Sequence, residues 1–368
     1  MVKNKPVRES GIELLRIIMM LQVIFLHVCD FGKFTAVARS MPENHYVTIF
    51  YWCSFLLSRC PVYVFIVITG YFCINAKNYY TNKTMKGRVL KTWIPMLFYA
   101  VILTAVVALS GLIDVPASVW IKSFLPLSGG MWYFMSLYLI LLLFIPFINM
   151  AIANLDKKQF QILLGIMFLL FCVWQPLTKL VFFKSVFKID HTFNTEQGKS
   201  LYDFIFMYIL GGYIRRFTEQ REKPRWIYAA LFFALGFINV ACVHVFSFLE
   251  YSKIVAYNDN IFAVAQTVCL IMFFKDLRFK SRAVNKFASF NLGIFMIHMH
   301  PMFRQVIWDN IFDVTKTKAF YSTWYFPFKI MLICLAIYFS CCAIDELRQL
   351  LFSAVETLMN KRKLKKAS

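Results

Sequence analysis

Stretches such as Phe98 to Leu109 and Leu137 to Ile148 contain no charged side chain at all, and they are apolar all round rather than striped every three or four residues. A helix that is hydrophobic on every face is either buried in a large protein or set in lipid. The blocks recur along the chain at close to the ~20 residues that cross a bilayer. Expected spans run near 11–31, 47–74, 89–110, 131–151, 160–182, 201–217, 226–249, 257–275, 287–306 and 322–345. Hydrocarbon cannot satisfy backbone N–H and C=O groups, so such segments must be helical. The fold class expected is therefore an all-α integral membrane protein, a bundle of about ten transmembrane helices.

Composition agrees. Only 16% of residues are charged and 60% are hydrophobic, against roughly 25% charged in soluble domains. The net charge of +21 would raise nucleic-acid binding in a soluble chain. Here most of the 40 Lys and Arg fall in alternate connections near 1–10, 75–92, 152–159, 215–225, 275–286 and 346–368. That is the positive-inside pattern, which excludes a nucleic-acid partner as the reason for the charge and places both termini in the cytoplasm. Residues 1–346 read as one ten-span domain. Residues 347–368, ending in Lys361, Arg362, Lys363, Lys365 and Lys366, read as a basic cytoplasmic tail resting on anionic membrane lipid.

The first apolar block follows Lys3, Lys5 and Arg8 like a signal peptide, but it holds Glu13, Arg16, Gln22 and His27 and no small-residue cleavage site follows, so it is expected to be retained. The ten cysteines sit mostly within apolar blocks without a Cys-x-x-Cys pair, which suits small buried hydrophobes and implies no metal site.

An ionisable group inside a span costs about 2.5 to 3.5 kcal/mol at its centre, so each is a functional candidate. Glu13 and Arg16 are three apart and can pair on one helix face. His27 lies eleven residues past Arg16, which returns it to within about 20° of the same face, about 16 Å along the axis. One stripe thus carries a cation near the inner surface, able to hold an anionic donor, and an imidazole farther out, able to take a proton from a hydroxyl. The alternative for His27 is a solvated position at the outer interface beside Asp30.

Other candidates are more diffuse. Thr69 and Gly70 end the second block and permit close helix packing or backbone access. The basic cluster Lys83, Lys86, Arg88 and Lys91 suits the phosphates of a nucleotide-bearing donor, or an ordinary inside loop. Trp132, Tyr133 and Phe134 open the fourth expected span, as interfacial anchors or as a platform for a sugar. His298 and His300, with Arg304 a turn beyond, either line the cavity of His27 or mark the outer interface.

Together these residues resemble the acyltransferase family 3 group of integral membrane acyltransferases. The family's arginine, ten residues, then histidine is met by Arg16 and His27 after Ile12-Glu13-Leu14-Leu15, with Glu13 where Asp is usual. Its Phe-x-x-Ser-Gly is met by Phe65 to Gly70 with one extra residue and Thr69 for Ser. Its Arg-x-x-Arg is met by Arg88-Val89-Leu90-Lys91, where Lys91 supplies a point charge rather than a planar fork. Its Trp-x-Phe is met by Trp132 and Phe134, and its late apolar-Tyr-Leu-apolar-His by Ile294 to His298 with Phe for Tyr.

The resemblance implies a multi-pass plasma-membrane enzyme that O-acylates a cell-surface or lipid-linked glycan from cytoplasmic acyl-CoA, acetyl-CoA above all. No resident cofactor or metal is implied. It makes His27 the catalytic group, as base or acyl relay, with Arg16 and Glu13 in support. It assigns Arg88, Lys91 and Lys86 to the donor, and Trp132, Phe134, Thr69 and His298 to the acceptor or cavity. A glycan or lipid-intermediate transporter without acyl transfer is the competing reading, and the chain lacks the repeated halves common in transporters.

Overall fold

The computed structural model describes residues 9–41, 43, 45–56, 59–75, 82–178, 180, 197–218, 224–246, 258–312, 321 and 323–367. The side chains of 45, 55, 56, 82–86 and 361–367 are not among what is described. Every regular element in these residues is a helix.

Six helices are long and apolar enough to cross a membrane: Gly11–Asp30, Gly87–Ser110, Tyr133–Ala151, Lys157–Thr178, Trp226–Val245 and Phe326–Asn360. The protein is a multi-pass membrane protein. The other four expected spans are shorter or interrupted. The block 47–74 is split into His45–Leu56 and Pro61–Cys73, with Pro61 at the first turn of the second piece, where its missing N–H costs nothing. The spans expected at 201–217 and 257–275 are helices of 17 and 14 residues, Leu201–Phe217 and Ile261–Phe274. The block 287–306 meets three short helices, Arg282–Ser289, Asn291–His298 and Pro301–Gln305. Pro301 accounts for the second interruption, because the residue before a proline is pushed out of the helical region, and His300 has ψ 128°.

The helices are labelled α1 (Gly11–Asp30), α2 (Phe34–Ser40), α3 (His45–Leu56), α4 (Pro61–Cys73), α5 (Asn82–Ser110), α6 (Ala117–Phe124), α7 (Tyr133–Ala151) and α8 (Lys157–Phe168). Next come α9 (Leu201–Phe217), α10 (Trp226–Val245), α11 (Ile261–Phe274), α12 (Arg282–Ser289), α13 (Asn291–His298), α14 (Pro301–Gln305) and α15 (Phe326–Ala367). A widened turn at Leu169–Trp174 carries α8 on towards Thr178. Pro176 denies a hydrogen bond to the preceding turn there, which favours the wider winding.

Helix α1 runs through the middle, against α2, α4, α11, α12, α13 and α15. Its Ile12, Leu15 and Met19 belong to one apolar cluster with α4, α7, α9 and α11. Its Met20, Val23, Ile24 and Val28 belong to a second with α5, α13 and α15. Phe65 and Phe134 touch both clusters, so the seam between them lies beside α1. The start of α1 is fixed from outside: Ser10 N–H donates to Phe279 O at 2.8 Å, and the Ser10 hydroxyl donates to Asn285 Oδ1 at 2.9 Å.

Two close approaches hold the partners in place. A Cβ on Gly70 would collide with the Tyr208 carbonyl, and one on Gly211 with that of Val67, so α4 and α9 meet backbone to backbone. Small residues allow this between membrane helices. Farther round, the fully buried Asp345 accepts from Tyr99 Oη at 2.6 Å, Arg348 Nε at 2.7 Å and Gln349 Nε2 at 2.8 Å. It ties α5 to α15, and α13 closes on the same carboxylate at Gly293.

Substituting Gly70→Leu or Gly211→Leu should therefore lower the unfolding temperature in detergent, by an amount equivalent to about 1 to 3 kcal/mol of overpacking. Gly165→Ala is the matched control. Its Cβ would meet nothing within 4 Å, and thermal unfolding of that variant should equal or exceed that of the original chain.

Candidate active site

The C-terminal half of α1 brings His27 against His298, 271 residues away, with Nδ1 of His27 2.9 Å from Nε2 of His298. The backbone settles who donates. His298 Nδ1 lies 2.5 Å from the carbonyl of Ile294, and a carbonyl can only accept, so Nδ1 carries the proton. In a neutral His298 ring Nε2 then has only a lone pair. His27 must donate to it through Nδ1, which leaves His27 Nε2 unprotonated. His298 is fully buried and His27 is partly exposed, so the free nitrogen belongs to the ring that a ligand can reach.

Next to this pair, the Phe31 ring lies 5.5 Å from that of His27, and the Arg304 guanidinium sits 4.0 Å over the Phe31 ring centre. His300, two residues past His298, does something else. Its Nδ1 accepts the Phe303 N–H at 3.3 Å and caps α14, while Nε2 faces Ala100 O at 3.3 Å and Thr104 Oγ1 at 3.2 Å. It closes a helix end and bridges to α5.

The N-terminal half of α1 carries the second group. Arg16 Nη1 donates to both carboxylate oxygens of Glu13, at 3.1 and 3.3 Å, and the guanidinium lies 5.9 Å from the Phe72 ring centre. Arg88 Nη1 is 2.8 Å from Cys73 Sγ. Thr69 donates to Phe65 O at 3.0 Å and meets the Tyr138 hydroxyl at 3.4 Å. Arg16 and Arg88 both act electrostatically on Cys73 and on Tyr138. Residues of α1, α4, α5 and α7 thus gather two guanidinium groups around a hydroxyl pair. Lys91 is exposed, and no described contact joins it to them; the side chain of Lys86 lies outside the described residues.

Aromatic rings fill the space between the two ends. Phe134 stacks on Tyr138 with ring planes 6° apart, and touches Phe65 and Phe295; Phe295 in turn lies edge-on to His298. Trp132 is not part of this column. It is buried edge-on to His300, and its Nε1 has no partner among the described residues.

Three contributors were not singled out from sequence. Tyr138 follows Phe134 by four residues, a same-face spacing that could have found it. Cys73 had no local signal. Asn291 precedes His298 by seven residues, which puts it within about 20° of the same face and about 10 Å along the axis. It is 6% exposed, and neither side-chain nitrogen nor oxygen has a partner among the described residues.

Chemically, the site offers a free imidazole nitrogen at one end, cations at the other, and an apolar aromatic corridor between. No curated protein and no solved structure matches the sequence. A family model described as "Acyltransferase domain" matches residues 9–346, nearly the whole chain, and so takes in both groups on α1 and the helix that carries His298. The chain belongs to this acyltransferase 3 family and is a membrane acyltransferase that moves groups other than aminoacyl groups.

Proposed function

We propose that the protein transfers an acyl group, acetyl in the first instance, from cytoplasmic acyl-CoA to a hydroxyl of a cell-surface or lipid-linked glycan at the plasma membrane. The observation that carries this is the division of α1, with Arg16 near one end and the His27–His298 pair near the other. In this reading the chain crosses the membrane about ten times with both termini inside, the broken and shorter segments counting as spans.

The donor's phosphates lie at Arg16 and Arg88, where two guanidinium groups suit bidentate contact. Glu13 holds Arg16 in place before the donor arrives. The arm of the donor runs along Tyr138, Phe134 and Phe295 toward His27. The arm carries amide groups, and the buried Asn291 amide offers the complementary donor and acceptor. A buried amide without partners is otherwise expensive, by about 1 to 3 kcal/mol for each group.

The glycan hydroxyl gives its proton to His27 Nε2 as its oxygen attacks the thioester carbonyl. The C–S bond then breaks, the acyl ester remains on the glycan, and CoA leaves as thiolate, to be protonated from His27 or solvent. His298 accepts the Nδ1 proton throughout, so it fixes the useful tautomer and steadies the imidazolium that forms. Burial of His298 against Ile294 makes this a positioning role.

Alkali-labile acetate on surface glycans of cells lacking the protein tests the activity. It should return with the original chain and fall by about 10²-fold to 10⁴-fold in rate with His27→Ala at matched membrane levels. Arg16→Lys should lose most activity although it keeps the charge, because an ammonium cannot reproduce the fork; near-normal turnover in that variant contradicts the donor assignment. For His298→Leu the expected change is a fall in kcat of at least about tenfold with an unaltered donor KM, as for a group that orients a catalytic imidazole.

A further inference from the structure

The acceptor end of α1 opens onto a cavity of about 660 Å³ lined by Cys29, Asp30, Lys33, Thr35, Ala36, Arg39 and Ser40. It begins two residues beyond His27, and its size falls within the roughly 300 to 1,000 Å³ of small-molecule sites. Its lining brings the charged Asp30, Lys33 and Arg39 and the hydroxyl-bearing Thr35 and Ser40 together with Cys29 and Ala36.

The charge around it is lopsided. Lys33 and Arg39 line the cavity, and Arg304, Arg59 and Lys199 are the cations that act electrostatically on His27. These five come from separate parts of the chain, at the end of the bundle that the positive-inside pattern leaves poor in Lys and Arg. Two carboxylates offset part of this: Asp30 pairs with Arg59 at 3.4 Å, and Asp309 with Lys33 at 3.0 Å. Asp203 and Asp259 are fully buried, and Asp203 already receives the hydroxyls of Ser200 and Tyr63. Among the described residues the remaining cations lean on aromatic groups that do not cancel charge: Arg304 on Phe31, Lys199 on Tyr133, and Arg39 on the Tyr51 hydroxyl.

We propose that this vestibule selects acceptors bearing an anionic group, a carboxylate or a phosphate on the sugar, which rests among Lys33, Arg39 and Arg304 while a neighbouring hydroxyl reaches His27. The proposal rests on the acceptor end assigned above and adds the substrate's charge. Low-dielectric walls strengthen such attraction, and a focused field of one sign raises the local concentration of the opposite one. Thr35 and Ser40 supply hydroxyls for the uncharged part of the sugar.

The test uses the full-length chain in detergent with glucose, glucuronate and glucose 6-phosphate as acceptors. At low salt the two acidic sugars should raise the unfolding temperature where glucose does not. Their kcat/KM in acyl transfer should exceed that of glucose by at least about tenfold, with the advantage shrinking as salt is added. In a Lys33→Gln, Arg304→Gln double variant shown to be folded by its ligand-free unfolding, both differences should collapse, and Arg304→Lys should restore part of them. Response to glucuronate alone or to glucose 6-phosphate alone also supports the site and names its anion. Equal use of all three sugars, or an acid preference indifferent to salt, overturns the proposal while leaving acyl transfer intact. Stabilisation by the acidic sugars without transfer upholds the vestibule and removes the acyl-transfer reading instead.

Discussion

In hydrocarbon a polar side chain must bring its partner with it, because no water is there to take the partner's place. Nearly every buried polar group in this bundle obeys. Glu13 has Arg16, Asp345 has Tyr99, Arg348 and Gln349, and Asn149 joins Cys73 O to the Tyr208 hydroxyl. Thr104, Ser123 and His300 close on one another. Glu13–Arg16 and the Arg348 and Gln349 bonds stay within one helix, but the others cross from one helix to another, so hydrogen bonds that lower the cost of polarity also decide which helices are neighbours. The places where the rule lapses, such as the Asn291 amide, stand out for that reason.

The two histidines show how the constraint becomes chemistry. A ring with two nitrogens has two possible tautomers, and a solvated histidine exchanges between them. Once His298 is committed to a backbone carbonyl, the choice passes through it to His27. The ring nitrogen left free on His27 is thus set by a main-chain oxygen behind His298, inside an all-helical scaffold that contributes no loop to the arrangement. At the other end of α1 the proposed phosphate contact asks for less, since a cluster of cations serves it without one fixed geometry for each.

Much of this was legible in the sequence. The apolar blocks announced helices in lipid, and the eleven-residue step from Arg16 to His27 put both on one face. The pairing of Glu13 with Arg16 follows from a three-residue interval. Span continuity was less legible: hydropathy carries through 47–74 and 287–306, and only Pro61 and Pro301 betray the breaks. Contacts between distant segments left no trace. The family motif singles out His298 over His300, but not their partners, and the two diverge because one faces α1 and the other α5. Trp132 could be an interfacial anchor or a platform for a sugar by position, and it packs edge-on to His300, since a tryptophan at a helix start can turn inward as readily as out. Arg304 was visible only as a residue one turn past a histidine, and its place over Phe31 depends on the turn at His300.

Helix α15 has a length that the membrane cannot absorb. Its 42 residues extend about 63 Å at 1.5 Å per residue, against a hydrocarbon core of about 30 Å. The first twenty or so, beginning at Phe326, use up that thickness and bring the helix to the stretch where Asp345 meets Arg348 and Glu346 meets Lys286. Beyond those ion pairs the same unbroken rod continues for about as far again, carrying Leu347, Leu350, Leu351 and Leu358 exposed along its sides. The basic tail therefore rides at the end of a stiff mast, and whatever bends that mast also turns the buried half that packs against α1.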